Sequence, residues 1–107
     1  GSLMTFGPDP TKRPDAADVL KKFEAKKINP ETYTLYSYAA VQIIKQAAEK
    51  ANTLDTKKVA DVIHSGMTFQ TVLGKLSFDK KGDRTDADYV MYVWKKGADG
   101  KMSFVEM

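Results

Sequence analysis

The chain has 107 residues, 42% hydrophobic and 29% charged, with 17 Lys and Arg against 14 Asp and Glu and no cysteine. That size and balance suit one small domain with one core and argue against a disordered chain, and the missing cysteines exclude disulfides and thiolate metal sites while leaving the compartment open. The net charge of +3 is carried mostly by Lys pairs (21–22, 26–27, 57–58, 80–81, 95–96) separated by acids, which is a solvated surface and not a nucleic-acid stripe.

Residues 1–2, Gly-Ser, read as an expression scar, and Leu3-Met4-Thr5-Phe6 starts abruptly, as a strand entered midway. Residues 1–10 hold neither the basic region nor the apolar run of a signal peptide, and no stretch is long and apolar enough for a transmembrane helix. Pro8, Pro10 and Pro14 each fix φ and turn the preceding residue away from helix, so this part is extended chain and turns. Pro14 suits a first helical turn, and Ala16, Val19, Leu20 and Phe23 then recur at i, i+3, i+4, i+7. A first helix is predicted there, ending near Lys27 before Asn29-Pro30.

The second helix is predicted over about residues 35–50, with Tyr36, Ala40, Ile43, Ala47 and Ala51 on one apolar face, Ala39 and Ile44 widening it, and Asn52 as terminator. The third opens with Asp55 as N-cap and a Leu54–Val59 hydrophobic staple, turns Val59, Val62 and Ile63 inward, and meets a left-handed cap at Gly66. Beyond it the period becomes strand-like. Residues 69–73 and 76–78 flank Gly74, residues 79–83 form a turn, residues 89–94 are apolar on both faces as in a strand covered on both sides, and a turn at 97–100 returns the chain into an edge strand at 102–105. The expected order is a short strand, three helices, two short strands, a loop and a hairpin.

Signals of catalysis are sparse. His64 is the lone histidine, without a nucleophile beside it, and its place near a helix C-terminus favours a structural role. Asp79, Asp83, Asp86 and Asp88 crowd ten residues, but no Gly stands sixth nor Glu twelfth from Asp79 or Asp83, so a solvated turn is expected and not a calcium loop. Only two basic residues are Arg, and Tyr89, Tyr92 and Trp94 lack the consensus of an RNA-recognition strand. No metal or cofactor site is assigned. Among the tyrosines, Tyr33 is expected on a loop before the second helix, free to line a pocket mouth. Tyr36 lies on the apolar stripe, where an aromatic is usually core, and Tyr38 lies off it.

Five pieces, FGPDP at 6–10, YTLYSYAAVQ at 33–42, TVLG at 71–74, FDKKGD at 78–83 and DYVMYVW at 88–94, together resemble in order and spacing the C-terminal third of bacterial periplasmic binding proteins for branched-chain amino acids, over nearly all of residues 3–104. The resemblance implies an α/β chain with a partial type I periplasmic-binding-protein fold, three helices packed with a short strand set and a C-terminal hairpin. Whole members have two α/β lobes joined by three crossovers, which close on an amino acid and deliver it to an ABC importer. On that pattern residues 3–84 belong to the N-terminal lobe's return, and residues 85–107 form a crossover and the last strands.

The family's contacts to the ligand's carboxylate and ammonium come from earlier in the chain; the aromatic before the second helix maps onto Tyr33, with Tyr36 a second candidate, packing against the ligand side chain. The implied protein is a solute-binding component, not an enzyme, periplasmic or lipid-anchored outside a Gram-positive cell, with an ABC permease as partner and its signal peptide upstream. The isolated chain, with residues 89–94 short of cover, is expected to dimerise. A free-standing α/β protein-interaction module is the rival reading.

Overall fold

A computed structural model describes residues 1–86 and 88–107. The elements run β1 (Leu3–Phe6), two 3-10 turns (Pro10–Lys12 and Pro14–Ala16), α1 (Ala17–Ala25), α2 (Thr32–Ala51), α3 (Thr56–Ile63), β2 (Phe69–Thr71), β3 (Gly74–Leu76), β4 (Val90–Lys96) and β5 (Met102–Glu106). This is the expected order.

Short-range chemistry explains most boundaries. The Asp9 carboxylate accepts from the Thr11 N–H at 3.0 Å and the Thr11 hydroxyl at 2.7 Å, closing the first 3-10 turn. The second such turn, opened by Pro14, feeds α1. α1 ends where Lys27 takes a left-handed conformation, φ 56°, and the Ile28 N–H returns to the Phe23 carbonyl. Asp55 caps α3, its carboxylate accepting from the Lys58 N–H at 3.0 Å, and Asn52 closes α2 in the left-handed region, as Asn does readily.

The core lies between α1, α2 and the β2–β3 hairpin: Ala16, Val19, Leu35, Ala39, Ile43, Ala47, Phe69, Val72, Leu73 and Leu76 are buried together. Phe69 and Leu35 are wholly buried, and each such side chain stabilises by about 1.5–3 kcal/mol. α2 also serves as a partner for the free edge of β2. Gln46 donates to the Gln70 carbonyl at 2.8 Å and accepts from the Gln70 N–H at 3.1 Å, while Gln42, one turn earlier, accepts from the Val72 N–H at 2.9 Å.

The remaining strands form an antiparallel sheet in the order β1-β4-β5, with Phe6 opposite Val90, and Trp94 opposite Phe104. The sheet is tied to the helical body by the Tyr92 hydroxyl, which donates to the Gly7 carbonyl at 2.9 Å.

Three expectations are corrected. α2 begins at Thr32, so Tyr33 sits in its first turn and not on a preceding loop; the Thr34 hydroxyl accepts from the Glu31 N–H at 3.1 Å and starts the helix early, an acid-first version of the usual capping pair. The buried face of α2 is Leu35, Ala39, Ile43 and Ala47, spaced by four, whereas Ala40 and Ile44 face outward, because apolar residues ring this helix and periodicity alone does not choose a side. The stretch 89–94 is not covered on both faces: β4 starts at Val90, only Tyr92 in it is buried, and Tyr89 and Met91 are exposed, since the sheet has no layer on its other side among the described residues.

Candidate functional site

The chain passes between helical body and sheet twice, at Phe6-Gly7 leaving β1 and at Asp88-Tyr89 entering β4. The β1–β4 register, which sets Phe6 against Val90, brings both passages together. The first turn of α2 points at the same place. The result is a cavity of about 470 Å³ lined by Phe6, Gly7, Tyr33, Tyr36 and Tyr89 and by the charged Asp83, Arg84 and Asp88.

Its aromatic wall is ordered by edge contacts. Tyr33 meets Phe6 edge-on, ring centres 6.0 Å apart at 88°, and leans on Tyr36 at 6.4 Å; such pairs add about 0.5–1.5 kcal/mol beyond burial. Tyr33 itself is 68% exposed, so the wall is held while its surface stays available. Tyr36 is half-buried, and its hydroxyl stands over Gly7. Burial, and next the nearby Asp88 charge, raise its pKa above the ordinary phenol value, so it presents a neutral hydroxyl.

The polar wall is a chain of charges. Asp88 accepts from Arg13 at 2.5 Å on one oxygen and lies 2.9 Å from Arg84 through the other. All three side chains are about one-third exposed, so water screens these pairs and their net worth is modest. Their effect is positional: Arg13 fixes Asp88, and Asp88 holds Arg84 at the cavity.

Both site residues expected from the sequence, Tyr33 and Tyr36, therefore line one cavity. A larger one, about 860 Å³, shares Phe6 and Gly7 but is lined otherwise by Pro10, Leu20, Tyr92 and Phe104, without either tyrosine. His64 is exposed at the C-cap of α3, with Nε2 facing Gly82, and lines neither cavity. The carboxylate of Asp79 accepts from the N–H groups of Lys81 and Asp83, at 2.8 and 3.0 Å, which closes the 79–83 turn. Phe6, Arg84, Asp88 and Tyr89 had no predicted role. Phe6, Asp88 and Tyr89 lie in conspicuous motifs; Arg84 gave no local signal, and the pairing of Arg13 with Asp88 spans most of the chain.

Residues 1–101 match the family described as periplasmic binding protein. The chain is 52% identical over 106 residues to Leu/Ile/Val-binding protein homolog 1 of Brucella suis biovar 1, an alignment covering 99% of this chain and 29% of that protein. It is 48% identical over 94 residues to an amino acid binding protein of Pseudomonas aeruginosa, covering 88% and 25%. Among solved structures, a leucine binding protein from Thermotoga maritima shares the fold with a TM-score of 0.72 at 24% identity, over 98% of this chain and 30% of that one. An ABC-type branched-chain amino acid transporter from Rhodopseudomonas palustris does so at 0.70 and 20%, over 99% and 29%. The chain thus spans less than a third of the length of these relatives.

Proposed function

The chain belongs to the periplasmic binding protein family, and on that premise we propose that it is the C-terminal segment of an amino-acid receptor that serves an ABC importer, and that it gives the receptor the aromatic wall of its ligand site. The observation that carries the reading is the convergence of Tyr33 and Tyr36 with Phe6 on one cavity where sheet and helices join. Tyr33 packs against the ligand side chain and Tyr36 backs it. Groups elsewhere in the receptor hold the ligand's carboxylate and ammonium.

The family is one of solute-binding proteins, and the segment is read as non-catalytic. Residues 3–84 belong with one lobe's return and residues 85–107 with the crossover and last strands. The receptor works in the periplasm, or on a lipid anchor outside a Gram-positive cell, and hands its ligand to a permease. Alone, the segment pairs its open sheet edges with a second copy.

Calorimetry on the longer receptor that carries this segment, with leucine, isoleucine, valine and polar amino acids, tests the reading. Micromolar binding of an amino acid is expected there, and no better than about millimolar binding to the 107 residues alone, because the polar clamps are missing. A receptor that binds no amino acid overturns it.

A further inference from the structure

Resting on the amino-acid receptor reading, we infer that the cavity at Tyr33 also carries a polar subsite built on Arg84, and that the ligand it accepts is an amino acid whose side chain ends in an oxygen acceptor, a carboxylate or carboxamide, in preference to a branched aliphatic one.

Arg84 is anchored for such a role. Its backbone forms a bridge with Phe78, whose ring packs at 6.3 Å from Phe69 in the core. The next residue is pinned too: the Thr85 N–H donates to the Ser77 carbonyl at 3.1 Å, and the Thr85 and Ser77 hydroxyls share a hydrogen bond at 2.5 Å. The guanidinium is therefore delivered to the cavity from a fixed stem.

Its donors are not used up there. A guanidinium carries five N–H groups, and among the described residues the acid within ion-pairing distance of Arg84 is Asp88, reached through one terminal nitrogen. Asp88 is simultaneously bound by Arg13. The other carboxylate at the cavity, Asp83, pairs with Lys81 at 2.8 Å. Arg13 and Lys81 lie outside the lining, but each pairs with one of its two carboxylates, Asp88 and Asp83, so the N–H groups that Arg84 does not spend on Asp88 remain for an oxygen acceptor. The neutral Tyr36 hydroxyl lies in the same lining. Aromatic rings for the apolar stem of a side chain, followed by a guanidinium for its oxygen end, describe a glutamate-like or glutamine-like ligand better than leucine.

Calorimetry of the longer receptor with L-glutamate, L-glutamine and L-leucine, each with wild type and Arg84→Met, tests this. One charge-assisted hydrogen bond corresponds to roughly a ten-fold or greater change in affinity. Glutamate or glutamine is expected to bind about ten-fold or more tightly than leucine, and Arg84→Met to erase that margin, with an unchanged circular-dichroism spectrum and melting curve showing that the variant folds. Glutamate ahead of glutamine identifies a carboxylate site, and the reverse a carboxamide site. Tighter binding of leucine, or a margin untouched by Arg84→Met, overturns the subsite while the receptor reading stands; binding of no amino acid overturns both.

Discussion

The Tyr36 hydroxyl stands so close over Gly7 that position 7 has no room for a side chain of even one carbon. Gly7 is not in the left-handed region, so glycine is needed here for the approach of the ring and not for backbone freedom. Gly7→Ala is expected to push the Tyr36 ring aside at a cost of about 1–3 kcal/mol, the usual penalty of overpacking. Adding Tyr36→Phe removes the clashing oxygen, so the double variant recovers part of the loss. Urea denaturation of both singles and the double measures this, and strictly additive effects contradict the contact.

The glutamines of α2 yield a graded series. Gln42→Ala leaves the N–H of Val72, a buried residue, without its partner and is expected to cost about 1–3 kcal/mol. Gln46→Ala breaks two bonds to Gln70, but these are exposed and water replaces them, so about 0.5–1.5 kcal/mol is expected. Lys45→Ala removes an exposed i,i+4 pair with Glu49 and is expected to change stability by less than about 0.5 kcal/mol. Denaturation midpoints in that order check the claim that α2 partners the edge of β2.

Alkaline pH should loosen the junction. Burial raises the pKa of Tyr36, with Asp88 adding to it, and burial raises that of Tyr92, with Glu106 adding to it, both from an ordinary value of 10.0. Above pH 10 the unfolded chain releases these protons first, so the folded state binds more protons and stability falls as pH rises. Below pH 10 both forms are neutral and this contribution is intact. Melting curves between pH 8 and 11 are expected to show a shallower alkaline decline in Tyr36→Phe than in wild type; parallel declines contradict the raised pKa.

What the sequence made legible follows from how local each cause is. α1 and α3 announce themselves through Pro14, Asp55 and one clean apolar stripe each, and they lie where those signals put them. α2 carries apolar residues around much of its circumference, so Leu35 and Ala39 outcompeting Ala40 and Ile44 for the core is decided by the β2–β3 hairpin, a tertiary fact. At the site, Tyr33 and Tyr36 were visible as a cluster at a helix start. Arg13 and Asp88, 75 positions apart, were not.

The sheet edges test the state of the isolated chain. β1 and β5 are the outer strands, and Leu3, Met102, Phe104 and Val105 on them are exposed. Such edges pair with another chain. Sedimentation at tens of micromolar is expected to show a dimer, and a clean monomer near 11.9 kDa contradicts strand pairing between copies.

The most direct test of the receptor account is calorimetry of amino-acid binding by the longer receptor carrying Tyr33→Ala, with His64→Ala and Asp86→Ala as comparisons. Tyr33 is 68% exposed, so its removal should cost little folding stability, yet losing an aromatic ligand contact should weaken binding by about 1–3 kcal/mol. His64 and Asp86 line neither cavity and should leave affinity unchanged. Wild-type affinity in Tyr33→Ala, or loss of binding in His64→Ala, contradicts the placement of the ligand against the aromatic wall.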